Sequence, residues 1–438
     1  RVRAVATSAL RDARNGRAFL DWVRTATGWN VEVITGLEEA RLIHLGLREN
    51  LRLGSAPALL LDLGGGSCEI TLSTGGHIGF TASLPLGAVR LTEEFLKHDP
   101  PAAKELKRLR SFINKELERV SGRISGVKPR TVIATSGTAA ALAVWCGSLS
   151  KKRPESSRSA PVRRAQVKKF AKKLAKMNVS QRATLPGVGT RRAEIIVAGA
   201  TVFDELLQKC AIPGFRYSPL GLRDGLLAQM AADYDERAQS RRHIASDRSD
   251  ALLAIAKNYR VDLAHAQQVR SMAQELFKQM RPVHALPAEY AEWLAAAAML
   301  HETGLYVNRY GWHRHAHYLI AHSEIFGYTA YERCLIAALA RYLGNSRPVA
   351  TDKAMKLLRP ADRQQAGKAI VVLRMARALN QSRRAVVERL SVRIKDGKVR
   401  LWLRTRSRTV AELELWALEK ERAYFREVFG RDLEAASL

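Results

Sequence analysis

The chain has 438 residues, which is enough for two to four domains with substantial cores. With 47% apolar and 26% charged residues it has a globular composition, but a formal net charge of +30 sets it apart. That excess points to polyanionic partners (nucleic acid, an acidic surface or a phosphate polymer), or to a basic bias spread over the whole chain. Four separated cysteines exclude a CxxC redox or zinc motif, and no apolar run reaches the length of a membrane span.

In chain order, Val2–Thr7 alternates like a strand, Thr7–Arg11 reads as a loop, and Gly16–Val23 reads as a helix. Val31–Ile34 is a further strand. Thr35 then caps a helix starting Gly36-Leu37-Glu38-Glu39. The Thr35-x-x-Glu38 spacing is a capping box, which gives Glu38 a structural duty. Glu39 lies about 100° further round the helix and is left for another role. A solvated charge in a first helical turn is the competing reading.

The most informative stretch is Leu59–Ile70, LLLDLGGGSCEI. An apolar strand ends in Asp62, three glycines and Ser67 turn the chain, and a second strand begins. Such a turn can aim consecutive N–H groups at an anion. A carboxylate at the end of a buried strand is costly unless it serves a cation or a proton. A third strand (77–82), helices over 86–95 and 104–120, and the strand Thr131–Ala134 follow. Thr135-Ser136-Gly137-Thr138, before an Ala-rich helix, is a second candidate oxyanion site.

The basic Ser/Pro-rich stretch 151–169 reads as a surface loop, with a lysine-rich helix after it. Leu185–Thr190 should cap one long helix over 191–207, and Tyr217–Leu226 is a strand-to-helix turn. Arg237–Asp250 is polar enough to read as a linker. Residues 252–379 are helical, a hairpin spans 390–403, and a helix over 412–429 follows it.

Five pieces of this chain are similar, in order, to the exopolyphosphatase/guanosine pentaphosphatase (Ppx/GppA) family. They are Ala6–Arg11, Gly36–Leu42, Asp62–Glu69, Thr135–Thr138 and Gly221–Gly225. The resemblance implies an α/β fold of actin-like ASKHA (ribonuclease H-like) lobes, with the first lobe incomplete. An all-α HD-like domain and a small α/β C-terminal domain would follow. The implied boundaries are 1–47 (remnant of the first lobe), 48–237 (second lobe with the phosphate loop), 238–385 (helical HD-like domain) and 386–438.

By the same resemblance Glu39 is the catalytic base that activates the attacking water. Asp62 and Glu69 hold a metal, Mg²⁺ or Mn²⁺ in its place, and no organic cofactor is implied. Arg11, Gly64, Gly65 and Ser67 bind phosphate, as do Gly137, Thr138, Arg192 and Arg223. The family's first phosphate loop, Asp-x-Gly-Ser-Asn-Ser, precedes all of these pieces in the family and is not in the chain given, so the chain is expected to be a fragment of an active enzyme.

Seven of the eleven histidines fall between His265 and His322. They resemble an HD-type arrangement with Glu302 in place of the aspartate. A metal-free bundle with hydrogen-bonded histidines is the expectation. The expected function is exopolyphosphatase, with pppGpp 5′-phosphohydrolase and a non-catalytic polyphosphate or alarmone binder as alternatives. Expected partners are inorganic polyphosphate or guanosine pentaphosphate and a second copy in a homodimer, with no membrane. Aromatic residues are only 7% and no base-stacking module is visible, so no specific nucleic acid is expected. A cytoplasmic location follows from the family and from sparse cysteine.

Overall fold

A computed structural model describes residues 2–51, 53–147, 160–234, 239–344, 346–349, 351–405 and 411–437. The chain forms two compact units, Arg1–Asp247 and Arg248–Leu438.

The first unit opens with β1 (Ala4–Ala6), α1 (Ser8–Asp12), α2 (Gly16–Thr27), β2 (Val31–Val33) and α3 (Gly36–Asn50). Strands β1 and β2 form a separate two-stranded parallel sheet. The loop expected over Thr7–Arg11 is instead the five-residue helix α1, too short to show a period in sequence.

A six-stranded sheet carries the rest of the unit. Its strands are β3 (Ala58–Leu63), β4 (Cys68–Thr74), β5 (His77–Leu84), β6 (Thr131–Thr135), β7 (Val162–Arg163) and β8 (Gly214–Tyr217). Helices α4 (Ala88–Phe95) and α5 (Ala103–Val127) link β5 to β6, and α6 (Ser136–Trp145) and α7 (Arg164–Leu174) follow. Then come α8 (Val179–Ala183), α9 (Thr190–Ala193), α10 (Ile196–Lys209) and α11 (Leu222–Tyr234). The spatial order is β5-β4-β3-β6-β8-β7. A three-strand antiparallel meander continues into parallel strands β6 and β8. This order agrees with the ribonuclease H-like lobe that the family resemblance leads one to expect.

Strand β3 lies between an antiparallel and a parallel neighbour, which explains its near-continuous apolar run. Its odd residues Leu59, Leu61 and Leu63 enter one core with Leu109, Ile113, Phe170 and Phe203. Leu60 turns to the other face, where it meets Ile43, Leu47 and Ile133. The expected boundary at residue 47 therefore runs through a shared core. The helix expected over 191–207 is two pieces, α9 and α10.

The expected linker 237–250 is helical from 239 on, as part of α12 (Gln239–Asn258), and the division between the two units falls within it, after Asp247. Polarity misled because Arg248 is satisfied inside the fold. It donates to Gly327 O at 2.7 Å and Glu292 Oε2 at 2.6 Å, and stacks on Tyr328. The expected boundary at 237 and residues 151–159 of the expected basic loop lie outside the described residues, while from Val162 to 169 that stretch is not loop but β7 and the start of α7.

The second unit is a helical assembly: α13 (Leu263–Gln279), α14 (Arg281–His284), α15 (Tyr290–Leu300), α16 (Trp312–His322), α17 (Ala330–Arg341), α18 (Lys353–Lys356) and α19 (Pro360–Ala378). It ends in β9 (Val387–Lys395), β10 (Lys398–Thr405), α20 (Glu412–Phe429) and β11 (Asp432–Ser437). Strand β11 pairs in parallel with β10. Leu401, Leu403 and Phe425 share one core with Leu294 and Leu373, so no separate core begins at residue 386.

Candidate active site

Helix α3 begins where the sequence places it. The Thr35 hydroxyl accepts from Glu38 N–H at 3.1 Å. The Glu38 carboxylate is held by Arg41 through bonds of 2.9 and 2.8 Å, and Arg41 also donates to Gln229 of α11 at 2.8 Å. Glu38 is thus committed to structure, its N–H capped by Thr35 and its carboxylate held by Arg41.

Glu39 turns the other way. Its Oε2 has no hydrogen-bond partner and lies 3.8 Å from Arg11 Nη1. The Arg11 guanidinium is fixed by donating to Ile34 O at 2.7 Å. Burial raises the Glu39 pKa well above the ordinary carboxylate range, Arg11 opposes that rise, and the Asp62 charge adds to it.

The β3–β4 hairpin delivers the other two carboxylates. Asp62 and Glu69 are cross-strand partners one pair away from the turn. Burial lifts Asp62 to about 6, and the Ser136 hydroxyl beside it opposes that rise. Burial and the Glu39 charge raise Glu69, against hydrogen bonds from Ser83 and Ser67; Ser83 Oγ donates to Glu69 Oε1 at 2.7 Å. One oxygen of Asp62 and one of Glu69 are buried without a partner, as in Glu39.

Three carboxylates whose pKa values burial raises, with Asp62 adding to the rise of the other two, each keep a spare oxygen, and together they fit a hard divalent cation. Their oxygens are less tightly gathered than those of His265, His301 and Glu302 in the second unit. There, alone among the described residues, three candidate ligand atoms lie within 4.8 Å of one another. An ion at Asp62 and Glu69 would complete its shell with water and phosphate oxygens.

The glycine turn is held from one side. Ala88 N–H donates to Gly64 O, Val89 and Arg90 N–H donate to Gly65 O, and Arg90 Nε donates to Gly66 O at 2.8 Å. In a planar trans peptide the N–H opposes the C=O. The N–H groups of Gly65, Gly66 and Ser67 are therefore directed away from α4. A Cβ on Gly87 would stand 2.2 Å from Gly65 O, so this approach requires glycine.

At the β6–α6 turn Ser136 has φ 81°, a left-handed conformation that is strained for a serine. Its Oγ donates to Leu63 O at 2.7 Å, which places it beside Asp62. The Arg192 guanidinium lies over Gly137, where a Cβ would come within 2.5 Å of its Nε.

Two expected phosphate ligands are spent on the fold: the Gly64 N–H donates to Ser67 O at 3.0 Å, and Thr138 packs on α10. Thr138 is buried with its hydroxyl against Gly199 of α10, so it serves packing. Arg223 is exposed on the first turn of α11. The Gly221–Gly225 motif instead closes the α3–α11 contact, for a Cβ on Gly225 would sit 1.8 Å from Leu42 O. Ser83 was missed, because a lone serine at a strand end carries no signal of its partner, whereas Ser136 lies in the expected Thr135–Thr138 turn without its bond to Leu63 O being foreseen. The φ of Ser136 shows only in three dimensions.

Comparisons with known proteins follow this geometry. Residues 1–233 match the family model of the Ppx/GppA phosphatase family, and residues 248–422 match Ppx/GppA phosphatase, domain III. Exopolyphosphatase 1 of Mycobacterium leprae is 35% identical over 226 residues, covering 51% of this chain and 66% of that protein. Its namesake in Mycobacterium tuberculosis H37Rv is 34% identical, covering 51% and 65%. The chain thus spans about two thirds of these relatives. Among solved structures, the Aquifex aeolicus PPX-GPPA enzyme is 33% identical with TM-score 0.45, covering 52% of this chain and 74% of that one. An exopolyphosphatase from Cytophaga hutchinsonii is 24% identical with TM-score 0.48, covering 53% and 76%. The chain belongs to the Ppx/GppA phosphatase family, and its chemistry is that of a phosphoanhydride hydrolase.

Proposed function

We propose that the chain acts as an exopolyphosphatase, removing terminal orthophosphate from inorganic polyphosphate. The observation that carries this reading is the trio of buried Glu39, half-buried Asp62 and buried Glu69, each with a buried oxygen that has no partner, around a glycine turn. Phosphoanhydride hydrolysis requires a placed water, a base, and positive charge or donors on the phosphoryl oxygens.

Glu39 is the base. Its raised pKa suits it to accept a proton from water near neutral pH and return it to solvent. Arg11 orients that carboxylate and offers its remaining N–H groups to a phosphate oxygen. Asp62 and Glu69 would hold Mg²⁺, which supplies charge neutralisation at the phosphoryl oxygens. Ser83 holds the Glu69 carboxylate in place by hydrogen bonding, and the nearby Ser67 hydroxyl favours its charged form. The N–H groups of Gly65, Gly66 and Ser67, together with Gly137 and Arg192, are the proposed phosphate donors. Gly64, whose N–H is taken by Ser67 O, and Thr138 are not among them.

The net charge of +30 favours a polymer with a negative charge on every phosphate over pppGpp. Among the described residues no helix is long and apolar enough to cross a membrane. The test is phosphate release by the complete reading frame from long-chain polyphosphate and from pppGpp. A higher kcat/KM on polyphosphate supports the reading. Preference for pppGpp would assign the 5′-phosphohydrolase, and no release from either would assign a binder.

A further inference from the structure

A second polar cavity lies wholly within the helical unit. It has a volume of about 630 Å³ and is lined by Glu302, Leu305, Arg309, Trp312, Arg377 and Arg383. Three guanidinium groups thus surround one carboxylate. Arg383 is paired with Glu302 and lies 3.3 Å from Asp262, and Arg377 stacks on Trp312 at 5.4 Å. Arg309 is exposed at the rim.

The chemistry at the Glu302 wall can be read atom by atom. His301 is fully buried, and its Nδ1–H must donate to Ala298 O at 2.7 Å, since a carbonyl only accepts. Its Nε2 is then a bare lone pair without a partner. Asn380 Oδ1 is taken by Ala385 N–H, so its Nδ2 donates to His265 Nδ1 at 2.9 Å. His265 Nε2 must therefore carry the proton. It too has no partner, and stands 3.7 Å from Glu302 Oε1. Glu302 Oε2 is the third unpartnered atom. Burial and the neighbouring arginines keep both rings neutral, His265 down to about 4 and His301 to about 3.

One donor and two acceptors are thus left unsatisfied beside a rim of positive charge, an arrangement that is expensive unless something fills it. A cation on these three atoms would require His265 Nε2 to lose its proton. Asn380 would have to turn its amide and give up the Ala385 bond, and the ion would sit amid three arginines. A neutral polar group with its own donors and an acceptor satisfies the wall without any such change.

We propose that the second unit carries its own binding site for a phosphomonoester with a polar organic group. The arginine rim takes the phosphate, while His265, His301 and Glu302 take the organic part. Arginine recognises phosphate by charge-assisted, often bidentate, bonds. The cavity is of the size that holds a ligand of this class. Nucleotides and sugar phosphates share this chemistry.

Hydrogen–deuterium exchange on the full chain tests the proposal with GMP, glucose 6-phosphate, inorganic phosphate and Mn²⁺ as separate probes. At least one ester should slow exchange in peptides covering 301–318, and the one that does identifies the source of the ligand. Arg309→Ala, at an exposed position, should weaken that effect about tenfold in concentration. Arg11→Gln, in the other unit, should leave it unchanged. No slowing by either ester, equal slowing by inorganic phosphate, slowing by Mn²⁺ alone, or persistence in Arg309→Ala would each overturn it.

Discussion

Asp62 and Glu69 face each other in register across the β3–β4 hairpin, and each keeps one buried oxygen without a partner. Like charges held this close by a sheet are stable only if protons or a cation share the site. The hairpin's register therefore sets the chemistry, and four consequences can be measured.

The first concerns pH and stability. Asp62 has a folded-state pKa of about 6 against an ordinary 3.8. Between these values the folded chain holds a proton that the unfolded chain has lost. Its stabilising contribution is complete below pH about 4 and is lost as pH rises through about 6, a change of about 3 kcal/mol. Glu39 and Glu69 shift in the same direction and extend the decline. Thermal unfolding without divalent ions should show Tm falling from pH 5 to pH 8. Added Mg²⁺ should restore Tm at pH 8 and do little at pH 5, where the carboxyls are protonated.

The second concerns Arg11. Its guanidinium holds the Glu39 pKa down against burial. Arg11→Gln should raise that pKa further and move the acidic limb of the kcat/KM profile to higher pH. An unmoved limb with a changed KM would leave Arg11 as a phosphate ligand alone.

The third concerns the frame that fixes Glu39. Arg41 is 1% exposed and held between Glu38 and Gln229. Arg41→Leu leaves a buried carboxylate without its countercharge and should cost about 3–5 kcal/mol in urea unfolding. Arg41→Leu with Glu38→Leu should recover much of that loss.

The fourth separates packing from ligand binding in the Gly221–Gly225 motif. Gly225→Ala drives a methyl into Leu42 O and should destabilise the chain by roughly 1–3 kcal/mol or more. Arg223→Ala, at an exposed position, should change phosphate release less than twofold, within the scale of a neutral surface change.

Much of this site was legible in sequence, and the rest was not, for physical reasons. A threonine three residues before Glu38 was enough to separate two adjacent glutamates by duty. The apolar run into Asp62 and its three glycines marked the hairpin. Resemblance alone supplied Arg11, whose hold on Ile34 O is a contact over 23 residues in sequence. Ser83 reaches Glu69 only because β5 lies beside β4. Strand β11, with the sequence DLEAAS, has little strand propensity of its own, and its pairing with β10 is set by tertiary contact. Thr138 and the 221–225 motif show the opposite error, in which residues of a phosphate motif are held by close backbone packing.

The central claim is that Glu39 is the base of a buried carboxylate trio. Its most direct test is phosphate release from polyphosphate by wild type and Glu39→Gln, with thermal unfolding measured alongside. The account predicts a loss of about 10²–10⁴ in kcat with KM little changed and Tm equal or higher, since a buried charge has been removed. Turnover by Glu39→Gln at the wild-type rate would contradict it.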